Sequence, residues 1–141
     1  MNKKNEQYLF RKYKKIFPGG RKVDPKMSLM CFGIMCDDGW FELIDKLCDS
    51  IQSYITLNPQ LKLKTVVVEV KEKFGGLRFY TEGADEHING MTSLAEDMSY
   101  KICEECGKKG KERGTSWVWT LCDDCWKKKK EERHIRWIKK L

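Results

Sequence analysis

The sequence predicts an α+β fold, with helices around one β-hairpin and a cysteine-rich module at the C-terminal end. Two stretches with helical spacing of apolar residues, 6–17 and 40–55, precede the candidate strands. A β-branched run at 65–70 and an alternating run at 77–81 flank a turn at 74–76, which is the pattern of a hairpin. A third helical stretch then leads into two Cys-x-x-Cys pairs. This order of elements is typical of an α+β protein.

The first predicted helix, residues 6–17, is basic and amphipathic. Lysine and arginine fill one side, and apolar residues recur at helical spacing on the other: Leu9, Phe10, Tyr13, Ile16 and Phe17. The Pro-Gly-Gly sequence at 18–20 ends the helix, because neither residue type favours its continuation. The apolar run at 27–35 has no helical period, and we expect a strand or a buried loop there.

The second predicted helix, residues 40–55, has a pronounced apolar stripe. The Asp-Asp-Gly sequence at 37–39 supplies a cap before it, and Asn58-Pro59 closes it. The stripe consists of Trp40, Leu43, Ile44, Leu47, Cys48, Ile51 and Ile55. After the hairpin, a polar stretch leads into a third helix at about 92–102, which runs directly into the first cysteine pair.

The cysteines predict a metal site. Their number, seven, is odd, and no apolar run of signal-peptide length follows the basic start, so we expect reduced thiols in a cytoplasm. Four of them form the pattern Cys-x₂-Cys-x₁₅-Cys-x₂-Cys, which lies within the spacing range of zinc sites. Two intervening residues let a tight turn aim both sulfurs at one ion, at about 2.3 Å. The sequence therefore predicts one zinc ion bound by Cys103, Cys106, Cys122 and Cys125.

The residues around the cysteines indicate how the module folds. Gly107 lets the chain reverse after the first pair. The segment 108–121 is long enough for a hairpin that returns the second cysteine pair to the metal. The second pair begins a helix, where Asp123 and Asp124 suit the helix dipole and stand four residues ahead of Lys127 and Lys128. A knuckle, a hairpin and a cysteine pair at a helix start resemble a treble-clef zinc finger.

The predicted zinc is structural, and we expect no catalytic activity. Four thiolates fill a tetrahedral site and leave no position for water. Two redox motifs or two disulfides are the alternative, although redox motifs do not usually occur in pairs at zinc spacing. Nucleic-acid deaminases have a partly similar pattern, which Cys103-Glu104-Glu105 imitates. However, Leu121 stands where their signature has proline, and Cys106 adds a fourth ligand that closes the site.

A second metal site would have to use Cys31, Cys36 and Cys48, together with His87. On an extended strand Cys31 and Cys36 would point to opposite faces. Cys48 lies on the apolar stripe of its helix, where a free cysteine behaves as a small hydrophobe. Core packing is therefore the favoured prediction, with a second metal as the alternative.

The formal net charge of +7 is unevenly distributed. Residues 1–30 carry a net charge of +7, residues 31–100 carry −6, and residues 101–141 carry +6. Four zinc-bound thiolates would lower the total to about +5, because the ion returns two of their four negative charges. The basic ends are thus the candidates for contact with phosphate. No apolar run approaches the roughly 20 residues that span a bilayer.

The C-terminal helix is the candidate partner-binding surface. Its basic residues either contact phosphates or form a solvated face: Lys127 to Lys130, Arg133, Arg136, Lys139 and Lys140. Its apolar residues either dock a partner or, as we expect, pack on the body: Trp126, Ile135, Trp137, Ile138 and Leu141. Trp117 and Trp119 alternate as on one strand face, which usually faces a core, although they could stack on bases. The predicted partner contacts are Lys127, Lys128, Arg133, Arg136, Trp137 and Ile138.

The chain divides into three predicted segments. Residues 1–25 form a basic N-terminal helix, and residues 26–100 form the α+β body. Residues 101–141 form the zinc module with its basic helix. We expect the three to make one compact unit.

Several motifs together resemble a family of small proteins found on phages and prophages. They are Asp38-Gly39-Trp40-Phe41, Leu43-Ile44, Leu47-Cys48, the string from Val70 to Tyr80 (VKEKFGGLRFY) and the cysteine module. The resemblance covers about residues 31–126, and its most specific part is 71–80. Small phage proteins of this type commonly inhibit host defence, and some metal-binding ones are anti-CRISPR proteins aimed at the type II effector nuclease. The resemblance implies no residue assignment beyond the four zinc ligands.

We therefore expect a non-enzymatic, zinc-stabilised binding protein. The resemblance implies a phage inhibitor, acting in the host cytoplasm, that binds and blocks a type II CRISPR effector nuclease with its guide RNA. Because the net charge is positive, such an inhibitor would not imitate DNA as a whole. The alternative is a small zinc-containing regulator that binds nucleic acid through its basic terminal helices.

Overall fold

The structure, a computed structural model, describes residues 1–139 and has the predicted α+β fold. The described residues form four α-helices and two antiparallel two-stranded sheets, one sheet before α3 and one after it. The helices are α1 (Lys3–Lys12), α2 (Phe41–Leu57), α3 (Glu86–Ser99) and α4 (Asp123–Ile138). The strands are β1 (Val66–Lys73), β2 (Gly76–Glu82), β3 (Lys111–Arg113) and β4 (Trp119–Leu121). Short 3₁₀ helices occur at Leu29–Phe32, Asp38–Trp40 and Pro59–Leu61.

The first helix is shifted towards the N-terminus relative to the prediction. It begins at Lys3 because the Asn2 side chain caps it by accepting a hydrogen bond from the Asn5 amide at 2.8 Å. After Lys12 the chain turns, and the Ile16 carbonyl accepts a hydrogen bond from the Val67 amide at 2.8 Å. The end of the predicted apolar stripe is therefore buried, but it lies in turns that join the N-terminal segment to the hairpin.

The segment at 27–35 is mostly a turn structure rather than a strand. Leu29–Phe32 form a 3₁₀ helix, capped by the Ser28 hydroxyl, which accepts from the Met30 amide at 3.2 Å. Only Met35 pairs with the sheet: its amide donates to the Val70 carbonyl at 2.9 Å, and its carbonyl accepts from the Glu72 amide at 3.0 Å. Of the two expected alternatives, the strand is therefore wrong except at this single bridge, and the segment is a loop whose Met30 and Ile34 are buried.

The predicted hairpin is confirmed. β1 and β2 pair antiparallel, with Lys73 opposite Gly76, which leaves Phe74 and Gly75 as a two-residue turn. Both turn residues have positive φ, 54° and 77°, as a type I′ turn requires. The Glu72 carboxylate accepts a hydrogen bond from the Gly75 amide at 2.7 Å and so holds the turn closed.

The third helix begins about six residues earlier than predicted, at Glu86. Asp85 is its N-cap and accepts a hydrogen bond from the Ile88 amide at 3.0 Å. The helix ends at Ser99, whose hydroxyl accepts from the Leu77 amide at 2.8 Å. Residues 86–91 therefore begin the helix and bring Ile88 into the core, and the hydroxyl of Ser99 attaches the end of the helix to β2.

The core lies between the hairpin and the helices. α3 packs on β2 and on α2, and β1 contacts the 3₁₀ helix at Leu29–Phe32. The largest fully buried side chains of the core include Trp40, Tyr13, Leu9, Ile44, Ile51, Leu77 and Ile88. α1 contributes Leu9 to this same cluster, so the N-terminal segment shares one core with the body. In residues 1–139 no helix combines the length and apolarity that crossing a membrane would need.

The cysteine module is attached to the body by backbone contacts around Gly39. The Gly39 amide donates to the Glu104 carbonyl at 2.6 Å, and the neighbouring Trp40 indole donates to the Ile102 carbonyl at 2.8 Å. On the other side, the buried Thr120 hydroxyl donates to the Gly75 carbonyl at 2.6 Å. A Cβ atom at Gly39 would lie only 2.1 Å from the Cys103 carbonyl oxygen, so the two backbones leave no room for a side chain.

This close approach predicts a specific loss of stability for Gly39→Ala. Overpacking of this kind costs about 1–3 kcal/mol, and here the atoms in the way belong to the backbone. The matched control is Gly90→Ala in α3, where an added Cβ meets nothing within 4 Å. The control should be neutral or more stable by about 0.5–1 kcal/mol, since alanine favours helix. Urea unfolding measures both, and equal midpoints would contradict the docking contact.

Candidate metal centre

The structure brings the four predicted cysteines together. Their sulfur atoms all lie within 4.8 Å of one another, and those of Cys106 and Cys122 are 3.6 Å apart. Tetrahedral coordination with metal–sulfur distances of about 2.3 Å places sulfurs about 3.8 Å apart, close to this value. Cys103, Cys122 and Cys125 are buried, whereas Cys106 is exposed. The cluster is therefore compatible with a single structural metal ion that needs no further ligand.

The first pair lies in a knuckle that follows α3. The Cys103 amide donates to the Lys108 carbonyl at 2.7 Å, and the Gly107 amide donates back to the Cys103 carbonyl at 2.9 Å. Gly107 has φ +76°, which permits the reversal that its position in the sequence predicted. The knuckle continues into β3, which pairs with β4. This hairpin returns the chain to the second pair.

The second pair begins α4. Cys122 is the N-cap, and its sulfur accepts a hydrogen bond from the Cys125 amide at 3.4 Å. This contact lowers the pKa of the Cys122 thiol to about 7. Desolvation and the neighbouring thiols raise the pKa values of Cys106 and Cys125. Four clustered thiols do not all ionise by themselves, and a divalent cation supplies the positive charge that favours four thiolates.

The two glutamates between the first cysteines both make structural contacts. The Glu104 side chain is buried and accepts a hydrogen bond from the Asp37 amide at 3.1 Å, and desolvation raises its pKa to about 7. The Glu105 carboxylate pairs with Lys129 of α4 at 2.5 Å. Glu104 thus ties the knuckle to the body, and Glu105 ties it to α4.

The aspartates at the start of α4 pair across the hairpin rather than along their helix. Asp123 forms ion pairs with Arg113 and with Lys111, the latter at 3.8 Å. Asp124 pairs with Lys108, also at 3.8 Å. The spacing of four residues to Lys127 and Lys128, which favours ion pairs along a helix, is not used here, because the chain before the helix places other cations nearer to the carboxylates.

The candidates for a second metal site are not brought together. Within residues 1–139, the only metal-compatible group of three or more cysteine, histidine or acidic side chains is the four-cysteine cluster. Cys36 and Cys48 are buried, and burial raises the pKa of Cys36 to about 12, which keeps its thiol protonated. Cys31 lies in the 3₁₀ helix, and His87 stacks on Tyr54 with ring centroids 4.3 Å apart.

An aromatic and cationic cluster covers the outer side of the module. Trp119 on β4 is half-buried, with its ring centroid 6.2 Å from that of Trp117 and 5.9 Å from that of Trp126. Lys129 and Arg133 lie over the Trp119 ring, at 5.8 and 5.3 Å from its centroid. The prediction that both strand tryptophans face a core fails for Trp117, which precedes β4 and is 61% exposed. Helical spacing of Lys129 and Arg133 is the sequence signal for this arrangement.

The far end of α4 does not pack on the body as expected. Ile135, Trp137 and Ile138 are 51%, 61% and 52% exposed. The four basic residues predicted to bind a partner are also exposed: Lys127, Lys128, Arg133 and Arg136. Lys140 and Leu141 lie outside the described residues. The helix extends beyond the module and leaves its apolar end uncovered by the described part of the chain.

Comparison of this chain with protein-family models, curated proteins and solved structures gives no match. The resemblance to small phage proteins therefore stays a prediction. The function has to be inferred from the residues of the site.

The metal centre predicts that Cys122→Ser loses both the metal and the order of the tryptophan cluster. Cys122 belongs to the four-cysteine cluster and caps α4, so its replacement removes both a candidate ligand and the cap of the helix. Elemental analysis should give one metal ion per wild-type chain and less than about one tenth of that in the variant. Near-ultraviolet circular dichroism should lose the part of the tryptophan signal that comes from the module, while the buried Trp40 of the body keeps its own. Cys31→Ser is the control and should retain both, whereas metal-free wild-type protein with native dichroism would contradict the assignment.

Proposed function

We propose that this chain is a zinc-stabilised, non-enzymatic protein that binds nucleic acid through the exposed basic face of α4. The observation that carries the proposal is the charge of this helix beyond the metal ligands. Residues 126–139 contain seven basic and two acidic side chains, a net charge of +5. This segment is anchored at one end by the four-cysteine cluster and is exposed along most of its length.

Zinc is the proposed metal because the donor set is made of four cysteine thiolates. Tetrahedral sites with four sulfurs hold zinc or iron, and the two spaced pairs are typical of zinc modules. A closed four-thiolate site has no position for a reactive water, which supports a structural role. Its contribution to folding is on the order of 10 kcal/mol in small modules.

The cations of α4 are available to phosphates. Among the ion pairs of residues 1–139, Lys129 pairs with Glu105, but none involves Lys127, Lys128, Arg133 or Arg136. Exposed cations without a carboxylate partner can neutralise phosphates. This neutralisation releases the counterions condensed on the nucleic acid, and their release drives binding. The carboxylates of Asp123 and Asp124 at the helix start, in contrast, already pair with Arg113 and Lys108.

A second basic surface lies at α1, as expected for binding by both terminal helices. It is an open cleft of about 980 Å³ whose rim carries five cations: Lys3, Arg11, Lys14, Arg21 and Lys22. The one carboxylate in its lining, Glu6, is buried and forms two hydrogen bonds with Arg21. The cleft thus presents positive charge to solvent and extends the surface that can contact a polyanion.

The second proposal is the inhibitor of a type II CRISPR effector nuclease that the resemblance implies. The observation in its favour is the uncovered apolar end of α4, where Trp137 and Ile138 are more than half exposed. Aromatic and aliphatic side chains of this kind commonly anchor protein interfaces. In this proposal the basic residues contact acidic protein surface or the guide RNA backbone, and the apolar end determines how long the complex lasts.

The nucleic-acid proposal predicts strong salt dependence. With about four phosphate contacts, affinity for a labelled oligonucleotide should fall roughly 50- to 150-fold between about 50 and about 200 mM salt. The Lys127→Ala/Lys128→Ala variant should reduce the logarithmic salt slope by about 1.4–1.8. Lys62→Ala/Lys64→Ala removes the same charge from the body and is the control. Fluorescence anisotropy measures all three, and equal slopes in the two variants would contradict the assignment of the α4 face.

The inhibitor proposal predicts stoichiometric loss of target cleavage. Purified nuclease, guide and target are mixed with the protein before or after the DNA, and inhibition should be weaker when DNA is already bound. Trp137→Ala/Ile138→Ala should weaken inhibition by about tenfold or more, because exposed anchors contribute roughly 1–2 kcal/mol each. Leu94→Ala, an exposed apolar residue on α3, is the control. Normal cleavage by several type II nucleases in excess protein would rule this proposal out.

A further inference from the structure

The metal module carries a row of aromatic rings that binding to a phosphate backbone alone does not require. We call this row and its cations the tryptophan face: Trp117, Trp119, Trp126, Lys129 and Arg133. Neighbouring ring centroids along the row are 6.2 and 5.9 Å apart, with interplanar angles of 36° and 44°. The rings are tilted and spread apart, so they do not cover one another as parallel stacked rings would.

The rings of the tryptophan face differ in what covers them. Trp119 is half-buried and lies beneath both Lys129 and Arg133. Trp126 is half-buried and has Lys130 over its ring at 5.7 Å. Trp117 is 61% exposed at the open end of the row. One aromatic ring is thus presented to solvent, and it is positioned by neighbours that are already packed.

A cleft at the tryptophan face has a lining that suits a base together with its adjacent phosphates. Its volume is about 280 Å³, and it lies between Trp117 and Trp119 on one side and α4 on the other. This is below the roughly 300–1,000 Å³ of sites that enclose whole small molecules, and it suits one flat ring. Three cations, Lys129, Arg133 and Arg136, line the cleft together with one carboxylate, Glu132. The cations suit the phosphates of a strand, and the carboxylate accepts hydrogen bonds from the amino groups of a base.

The metal centre holds the two sides of this cleft in place. Trp119 belongs to β4, which leads directly to the ligand Cys122. Lys129 belongs to α4, which begins at the same ligand, and its ammonium group pairs with Glu105 between the first two cysteines. Both sides are therefore attached to the four-cysteine cluster, so the face is preorganised and loses little conformational entropy on binding.

We propose that the tryptophan face binds single-stranded nucleic acid by stacking a base on Trp117, with Arg133 and Arg136 contacting the adjacent phosphates. This inference rests on the proposed nucleic-acid function and names its substrate class. Bases in a duplex are stacked on both sides by their neighbours, so an exposed ring finds a free partner only on an unpaired strand. The combination of a cationic surface and exposed aromatic rings is the one that sequence-tolerant single-strand binding uses.

The test compares four labelled 20-nucleotide probes with the zinc-loaded full chain. They are single-stranded DNA of mixed sequence, the equivalent RNA, the DNA duplex, and a DNA strand with abasic sites at its central positions. We expect DNA and RNA single strands to bind at least about tenfold more tightly than the duplex, and the abasic strand to lose most of that advantage, since stacking contributes several-fold affinity per base. Bound single strands should also quench tryptophan fluorescence.

The decisive variant is Trp117→Ala, which should weaken single-strand binding roughly 5- to 150-fold. Its salt slope should be unchanged, because the phosphate contacts remain. Trp117→Phe should restore most of the affinity, and Phe32→Ala, which removes an exposed aromatic ring from the body, should have none of these effects. Metal content and an unchanged urea unfolding midpoint verify that Trp117→Ala is folded, as expected for a residue outside the strand.

The outcomes separate this inference from the proposed function. If binding depends on salt but the duplex and the abasic strand bind as tightly as the intact strand, base stacking is overturned. Phosphate binding, and with it the proposed function, is then retained. Single-strand affinity that changes less than twofold in Trp117→Ala would overturn it as well. No binding of any probe at about 50 mM salt would reject both base stacking and the proposed nucleic-acid function, because cations that contact phosphates bind nucleic acid most strongly at low salt.

Discussion

The convergence of four cysteine sulfurs on one point is the constraint on which the C-terminal third of this protein depends. The segment from the knuckle to the start of α4 has two three-residue strands and a small cluster of buried residues around Leu121. So little apolar surface stabilises a fold weakly, and a metal ion commonly makes up the difference in modules of this size. The cluster sets where α4 begins, and the direction of α4 sets where its cations and tryptophans lie.

The module is also part of the body rather than an appendage. The Glu104 carbonyl accepts from Gly39, the Ile102 carbonyl accepts from Trp40, and Thr120 donates to the hairpin turn at Gly75. Each contact has a backbone carbonyl as its acceptor, and the close approach of the two backbones at Gly39 tolerates no added volume. Loss of the metal is therefore expected to loosen the loop that begins α2 as well as the module itself.

The features that depend on local spacing are predictable from the sequence. The cysteine pattern, the hairpin turn at Phe74-Gly75 and the stripe of α2 are each visible in a short window, and the structure has all three. Features that depend on distant contacts were missed. α1 ends early because Ile16 pairs with β1, and Asp123 turns to Arg113 because the β3–β4 hairpin lies beside the helix start. Lys129 and Arg133 have visible helical spacing, but their position over Trp119 follows only from the closure of the metal site.

The proposed function depends on the same closure, since the basic helix and the exposed Trp117 are presented together only when the four cysteines are joined. The most direct measurement is a zinc titration of chelator-stripped protein, following near-ultraviolet dichroism and single-strand affinity in the same samples. The account predicts that both signals rise together and saturate at one equivalent of zinc per chain. Full affinity in the stripped protein, or saturation only at two equivalents, would contradict it.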